Sequence, residues 1–580
     1  MTNDYAEWDK ADLIKEIKQL KKRKKFGLVW EDKSEDVVEM CKEHLPIIVE
    51  DKSKDISTSS TDPTNILIEG DNFHALSVLN YTHAGKVDAI YVDPPYNTGA
   101  KNWVYNNNYV DGNDAFRHSK WLSFMEKRLI LAKTLLKKTG IIVVTIDDYE
   151  VATLTLLMNE IFGEENHLGT IVIKNNPQGR SSVSGFQISH EYALYYSRSQ
   201  YAKIGRLPRT QEQINRYKET DEKGAFEWRN FRAQYSTESP KMNYPIFVKK
   251  DCSDFRIPKM EWNNEIRSFD LLEKPDSTEV ISLPIDPTGR IRTWKWSLET
   301  VNSAKDTEMG VRLDKDKKPS VYYKGRMKDE DMLPYTVWDK PEYSASSMGT
   351  NLLTAMLGTK KFDYPKSLYA VIDSLRVLSA DKSATFLDFF AGSGTTGHAV
   401  LEMNKQDRGN RQFILCTNNE NSIAEEVTYP RVKNVILGYK SGSTQVEGLG
   451  GNLKYYKTSF VDRVVTDADR RDFVVHATEM LCLAEETFDE KKLVIGKYAI
   501  YSNVSKTTAI IHDEDHISEV REELRSIKGK LIIYVFTYDN VYDGEDFDDL
   551  NGDFVIRPIP AVILNVYSRV MRQAARRINL

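Results

Sequence analysis

Cysteine is scarce. Four thiols (Cys41, Cys252, Cys416 and Cys482) are spread over 580 residues. They fit neither a disulfide framework nor a Cys-x-x-Cys metal site, so no metal is expected and a reducing, cytoplasmic setting is. Long apolar runs are missing as well. Stretches such as Gly140-Ile-Ile-Val-Val-Thr-Ile146 are strand-sized, and none nears the roughly 18–20 residues that cross a bilayer. No membrane association is expected. The first residues, Met1-Thr-Asn-Asp-Tyr-Ala-Glu-Trp8, lack the apolar core of a signal peptide. Positive charge is not in excess either. Lys and Arg number 80 against 86 Asp and Glu, a formal charge of −6. Taken alone, this argues against nucleic-acid binding, because phosphate contacts need Lys and Arg. The distribution changes that conclusion. Residues 541–553 hold six acids and no base, which equals the whole excess, whereas 164–340 hold 30 Lys and Arg against 27 Asp and Glu. Where the charge lies bears on binding more than its sum.

What is present is a long, globular, α/β-patterned chain. Its length exceeds one hydrophobic core and implies two to four domains. Residues 10–25 form a basic helix with a narrow apolar stripe (Leu13, Ile17, Leu20). Docking on its own domain, a short dimerising coiled coil and a DNA-touching face all remain open for it. From residue 65 onward, strands and helices alternate. Strands are expected at 65–69, 87–92 and 141–146, with helices at 73–82, 115–138 and 149–162, the signature of a parallel sheet covered on both faces. Two further strands, 170–174 and 191–196, suggest an antiparallel edge pair. The pattern becomes short and irregular from about 164 to 340, then resumes with a helix at 368–378, strands at 385–390 and 412–416, and a helix at 396–403. The expected division is therefore an N-terminal helical segment (1–50), a first catalytic part (51–163) and an insertion (164–340), whose first ~35 residues are compatible with the sheet. A second catalytic part (341–449) and a small separate α/β tail (450–580) follow.

Two motifs carry chemistry. Asp93-Pro94-Pro95-Tyr96 follows directly on the strand Ala89-Ile-Tyr-Val92. Strand ends of a parallel sheet are where ligands bind. Two prolines fix the backbone and aim carbonyls rigidly. An acid, a fixed carbonyl and an aromatic ring can hold a flat base with an exocyclic amine. Asp93 and the Pro94 carbonyl accept its two N–H bonds, and Tyr96 stacks on its face. For the bare tetrapeptide, a Pro-Pro turn with a packed tyrosine is equally good; the preceding buried strand and the following Asn97-Thr98-Gly99 favour the functional reading. The second motif is Phe386-Leu-Asp388-Phe-Phe390-Ala391-Gly392-Ser393-Gly394-Thr395-Thr-Gly397, an apolar strand ending in a glycine loop that enters a helix. Such a loop lets the backbone approach a ligand, and the helix N-terminus favours an anion. The spacing Gly392-x4-Gly397 superficially matches a phosphate loop, but His398 and Ala399 stand where Lys and Ser/Thr would have to be. A nucleoside cofactor with a carboxylate tail, such as S-adenosylmethionine, fits better.

In this order the two motifs resemble the β group of amino-methyltransferases that modify DNA. The long spacer, the segment Lys24-Lys-Phe-Gly-Leu-Val-Trp-Glu31 and the overall length resemble the modification (Mod) subunit of type III restriction-modification systems. The resemblance implies an α/β, Rossmann-like methyltransferase sheet in circularly permuted order. An α+β target-recognition insertion interrupts it, and a small C-terminal domain follows. It implies transfer of a methyl group from S-adenosylmethionine to adenine N6 in double-stranded DNA, after base flipping. Asp93 favours adenine over cytosine N4, where family members more often have Ser. It further implies that Asp93, Pro94, Pro95 and Tyr96 hold the base and that Asp388, Phe390, Ala391, Gly392, Ser393, Gly394 and Thr395 line the cofactor's methionine end. Lys366 and Ser367, in Phe362-Asp-Tyr-Pro-Lys-Ser367, would help hold that end; family members often read Lys-Pro where this chain has Lys-Ser. Asp71 would lie near the cofactor's adenine, with an ordinary turn or cap as the alternative. An acid usually ends the strand after the glycine-loop helix and binds the ribose. Here Thr417, Asn418 and Asn419 come first, so Glu420 is the choice and Asn418 the next. In the insertion, Asn176, Gln178, Arg180, Arg229, Arg232, Arg290, Arg292 and Trp294 are candidates for DNA contact, since Arg reads guanine and Asn or Gln adenine. A solvated surface charge is the plain alternative for each arginine. Homodimerisation and a separate restriction subunit are also implied; the chain itself shows no helicase loop or nuclease motif. The competing classes are an orphan adenine methyltransferase, the same fold acting on RNA or cytosine N4, and a non-catalytic DNA-binding module, against which the intact motifs argue.

Overall fold

The computed structural model describes residues 30–574 apart from 60, 106–107, 180–184, 234–238, 328–330, 539–540 and 551. The helix expected over 10–25 and Arg180 lie outside the described residues. The chain forms two compact units, one running to Arg206 and resuming at Leu333, the other Leu207–Met332.

The first unit is built on a ten-stranded mixed sheet. Its elements in chain order are β1 (His44–Glu50), β2 (Thr64–Glu69), α1 (Asn72–Thr82), β3 (Val87–Val92), α2 (Arg117–Leu135), β4 (Leu136–Ile146), α3 (Val151–Phe162), β5 (His167–Ile173), β6 (Glu191–Ser197), β7 (Val337–Trp338), α4 (Leu368–Leu378), β8 (Thr385–Asp388), α5 (Thr395–Asp407), β9 (Gln412–Thr417), α6 (Tyr429–Leu437) and β10 (Asn452–Asp462). Their order across the sheet is β1-β10-β2-β9-β8-β3-β4-β6-β5-β7. The run from β10 to β4 is parallel throughout. Its strands are near-continuous Ile, Leu and Val because both faces are covered by helices. Ile90, Ile142, Leu387 and Ile414 are almost wholly buried. The step that positions the site is β8 beside β3, with Leu387 opposite Ile90. Residues nearly 300 positions apart thereby leave the same edge of the sheet side by side.

The second unit begins at 207, past the ~35 residues that the sequence left compatible with the sheet. β5 and β6 form the expected antiparallel pair, but β6 also pairs with β4 inside the large sheet. Its Ala193-Leu-Tyr-Tyr196 run is buried and has to be covered by the core. The tail, expected as a separate unit, belongs to the first one. β10 inserts between β1 and β2, and Leu481, Ile532, Ile563 and Tyr567 share one hydrophobic core with Leu76 and Leu79 of α1. The tail's own five-stranded sheet has a second core, in which Val520 and Leu524 of the helix Ile517–Arg525 meet Ile511 and Val535. Among the described residues no helix is long and apolar enough to cross a membrane.

The second unit holds a four-stranded antiparallel sheet (Glu219–Asp221, Gly224–Asn230, Pro319–Arg326, Met309–Leu313) and a smaller three-stranded one. Its core is aromatic. Trp294 stacks on Phe231 with ring centroids 5.3 Å apart and donates its indole N–H to the Tyr244 carbonyl. Trp294 is 3% exposed, which corrects its expected place at the DNA surface: a ring this large with an internal acceptor for its N–H is more stable inside. Trp294→Ala should destabilise this unit by roughly 3–5 kcal/mol, as removing a buried large aromatic does. Urea unfolding followed by tryptophan fluorescence checks it.

Candidate active site

Asp93 leaves the end of β3 with its carboxylate held on both sides. Thr145 on the neighbouring strand β4 donates its hydroxyl to Oδ1 at 2.6 Å, and the Lys366 ammonium lies 2.9 Å from the same oxygen. The Pro95 carbonyl is taken by the Trp121 indole N–H at 2.7 Å. Among the described residues nothing donates to the Pro94 carbonyl, so the fixed acceptor that the motif requires is available. The turn closes on Asn97, which is buried with φ of +54°. Asparagine tolerates that left-handed conformation, and here its amide is spent inward. It donates to Glu150 at 2.6 Å and accepts from the Trp103 indole at 3.2 Å.

Beside Asp93 stands an acid that the sequence reading missed. Glu191 opens β6 and is 3% exposed. It accepts from Lys366 at 2.8 Å, from the Tyr96 hydroxyl at 3.1 Å and from the Asn175 amide at 2.7 Å. Lys366 also donates to the Tyr96 hydroxyl and lies 4.6 Å from that ring's centroid. Burial works against the ammonium, but the Asp93 and Glu191 carboxylates outweigh it and hold Lys366 above an ordinary lysine. Burial, with the same two acids, keeps Tyr96 a neutral phenol. The only available signal for Glu191 was a charge at the head of an otherwise apolar strand. Lys366, expected to help hold the cofactor's methionine end, has its ammonium on the Asp93 carboxylate. Ser367 caps α4 by accepting from the Ala370 N–H at 3.4 Å, while its hydroxyl proton goes to the Glu342 carbonyl at 2.6 Å. Ser367 thus acts as an N-cap in this arrangement.

One strand over, β8 ends in the glycine loop. Asp388, 2% exposed, accepts from the Phe390 N–H at 3.0 Å and from the Thr396 hydroxyl at 2.5 Å. Burial raises its pKa to about 7; the two hydrogen bonds oppose the rise, and the charge of Asp93 adds to it. The folded protein thus holds this proton more tightly than the unfolded chain does. That contribution is complete below about pH 4 and is lost as pH rises through about 7. The loss is on the order of 4 kcal/mol for a shift of this size. Urea unfolding at pH 5 and pH 8 should therefore show a steeper fall for the wild type than for Asp388→Asn. Gly392 and Gly394 adopt φ of +47° and +76°, and a Cβ on Gly394 would meet the Thr428 methyl at 3.2 Å. The Thr428 hydroxyl donates to the Gly392 carbonyl at 2.5 Å. The loop thus turns sharply into the N-terminus of α5, a backbone shape suited to an anion.

Asp71 caps α1 through the Phe73 N–H at 2.7 Å and lies 3.6 Å from Arg128. The neighbouring Asn72 donates to the Phe389 carbonyl at 3.1 Å, tying the end of β2 to that of β8. Arg128, fully buried, is held by Glu35 in a two-pronged pair at 2.6 and 3.0 Å. Neither residue was marked by the sequence. Glu420 begins the turn Glu420–Ser422 beyond the carboxyl end of β9 and is exposed. The neighbouring strands β2, β9 and β8 thus each end at or lead into an acid, and the adjacent end of β3 supplies Asp93.

A family model described as DNA methylase matches residues 87–428. The chain belongs to this family. The match spans both strand ends just described. The methylase is 32% identical over 418 residues to the Type II methyltransferase M.KpnI of Klebsiella pneumoniae, covering 71% of this chain and 92% of that one. It is 29% identical to the EcoPI Mod subunit of Escherichia phage P1 (68% and 63% covered) and 28% identical to the StyLTI Mod subunit of Salmonella typhimurium (74% and 64%). The methylase thus spans under two thirds of these Mod subunits' length. Among solved structures, a DNA modification methylase of Thermus thermophilus aligns over 66% of this chain and 99% of its own, at 12% identity and a TM-score of 0.30.

The described candidate DNA-contacting residues of the methylase fall in both units. Asn176 and Gln178 lie in the turn after β5, where the Asn176 carbonyl accepts from the Gly179 N–H. In the second unit, Arg229 pairs with Glu227 at 2.7 Å, Arg292 with Asp286 at 2.9 Å, and Arg232 donates to the Ile285 carbonyl. Arg290 is exposed.

Proposed function

We propose that this methylase transfers a methyl group from S-adenosylmethionine to the N6 amine of adenine in double-stranded DNA. The observation that carries this reading is the placement of Asp93 and the glycine loop on adjacent parallel strands, β3 and β8, at the same edge of the sheet. The chain order, with the Asp-Pro-Pro-Tyr strand before the glycine-loop strand, fits a circularly permuted methyltransferase. The donor set suits the cofactor: a left-handed glycine turn at a helix N-terminus for the carboxylate end, and Asp71 and Glu420 for the nucleoside. When bound, S-adenosylmethionine supplies an electrophilic sulfonium methyl.

The chain's own residues position the acceptor. An adenine inside a duplex is out of reach, so it is flipped out at a cost of about a few kcal/mol. The Asp93 carboxylate and the Pro94 carbonyl accept the two N6 protons and turn the nitrogen lone pair away from the ring. Tyr96 stacks on the base. Thr145 and Lys366 hold the Asp93 carboxylate in one orientation, so no reorientation is needed during the reaction. The N6 proton becomes acidic as the new bond forms, and Asp93 is the nearest acceptor for it. The residue at this position is Asp, which favours adenine over cytosine.

The unit Leu207–Met332 is proposed as the target-recognition domain, with Arg229, Arg232, Arg290 and Arg292 toward DNA, aided by Asn176 and Gln178. A cytoplasmic homodimer working with a separate restriction subunit, as a type III Mod protein, is the reading first suggested by the sequence. A second reading, a methyltransferase that is not part of a type III complex, is supported by the 92% coverage of the Type II relative. Incubating the purified chain with duplex DNA and labelled methyl donor, then analysing nucleosides, tests the reaction. N6-methyladenine is expected; label in N4-methylcytosine, or none, would overturn it. Sequencing the methylome of cells expressing the chain reads the target site.

A further inference from the structure

Arg431 lies in α6 and is fully buried. The reaction proposed above does not use it. A buried guanidinium ordinarily has a carboxylate partner, because an isolated charge is costly in a low-dielectric interior. Among the described residues Arg431 has none. Its Nη1 donates to Ser393 Oγ at 3.0 Å and to Thr395 Oγ1 at 2.7 Å, and reaches the Ser393 carbonyl at 3.5 Å. Its Nη2 lies 3.4 Å from Nδ1 of His398. Burial and the charge of Arg431 hold His398 well below the ordinary imidazole range, so this imidazole is a neutral acceptor. Nε has no partner among the described residues. Burial lowers the guanidinium to about 9, so it stays cationic at neutral pH. The nearby acid Asp388 is engaged by the Thr396 hydroxyl and the Phe390 N–H rather than by Arg431.

Apart from Asp388, the fixed charge under this loop is positive. The guanidinium, the α5 N-terminus and the left-handed turn at Gly392 and Gly394 all favour an anion. Ser393 and Thr395 are 3% and 5% exposed. Each accepts from Arg431, and they lie 3.2 Å from one another, so one hydroxyl donates to its neighbour and the other keeps a proton to donate outward. The carboxylate is the only anionic group of S-adenosylmethionine; its ammonium and sulfonium are both cationic.

We propose that Arg431 is a positioning residue for the cofactor's carboxylate, supplying the counter-charge through the Ser393 and Thr395 hydroxyls rather than by contact. This rests on the reading above that the glycine loop receives the methionine end of the cofactor.

Calorimetric titration with S-adenosylhomocysteine and with its decarboxylated analogue, S-adenosyl-3-thiopropylamine, separates the possibilities without relying on turnover. The wild type should prefer the carboxylate-bearing ligand. Arg431→Met should weaken S-adenosylhomocysteine by about tenfold or more, as loss of a charge-assisted interaction does. The same change should leave the decarboxylated analogue within about threefold, and Arg431→Lys should restore most of the preference. Equal weakening of both ligands would mean that Arg431 only supports the loop, and would overturn the proposal. If Arg431→Met does not fold, the double variant Ser393→Ala, Thr395→Val tests the same path with the arginine kept. Loss of the carboxylate preference supports the proposal, and retention overturns it. A wild type that binds neither ligand would instead overturn the cofactor assignment itself.

Discussion

Asp93→Ala should lower methyl transfer by at least about a thousandfold, within the range that a positioned acid–base group contributes. Affinity for S-adenosylhomocysteine should stay within about threefold of wild type, because the change leaves the glycine loop untouched. The split follows from the geometry. The Asp93 carboxylate is held by Thr145 and Lys366 and is not part of the β8–α5 turn. Its loss removes one of two acceptors for the amine and the nearest acceptor for the departing proton. The fold should survive, since Lys366 keeps Glu191 at 2.8 Å. Single-turnover methylation and calorimetry on the same preparation check both halves. Wild-type N6-methyladenine formation by the variant would sink the assignment of Asp93.

Lys366→Met should act on the same group from the other side. Lys366 is the cation shared by Asp93 and the buried Glu191. Among the described residues, removing it leaves Glu191 with only the Tyr96 hydroxyl and the Asn175 amide. Breaking a buried pair in this way costs roughly 3–5 kcal/mol of stability. Methylation should fall by about a hundredfold or more as Asp93 loses its fixed orientation. The double variant Lys366→Met, Glu191→Gln should recover much of the stability, because the one carboxylate left without its cation, Asp93, is partly exposed and keeps the Thr145 hydroxyl, but not the activity. Urea melts and steady-state kinetics separate these effects. The cofactor provides the deciding readout: if the Lys366 side chain instead held the methionine end, S-adenosylhomocysteine binding would be lost in the single variant and stay lost in the double.

The chemistry-bearing residues that lie close together in sequence were legible without the structure. Asp93 to Tyr96 and Asp388 to Thr395 are contiguous, and each follows an apolar run long enough to be a buried strand. The glycine turn was legible for the same local reason: His398 and Ala399 ruled out a phosphate loop, and Gly392 and Gly394 take the left-handed conformations that only the backbone of glycine adopts freely. Partners brought in from a distance were not legible. Glu191, Arg128 with Glu35, and Arg431 carry no motif, and each matters only through what packs against it. Lys366 was picked out, but its contacts with Asp93 and Glu191 were not, since a lysine's four-carbon stem lets its ammonium reach groups that spacing along the chain does not reveal.

The alternation of apolar strands and amphipathic helices, and the local conformation of the two turns, were determined by the sequence alone, because both depend on interactions within a few residues. Tertiary structure decided which strands lie side by side. That choice put β3 against β8, drew β10 from the tail into the central sheet, set the start of the inserted unit at 207 and turned Trp294 inward. Each of these is settled by long-range burial of apolar surface and satisfaction of strand-edge hydrogen bonds, which no periodicity along the chain encodes.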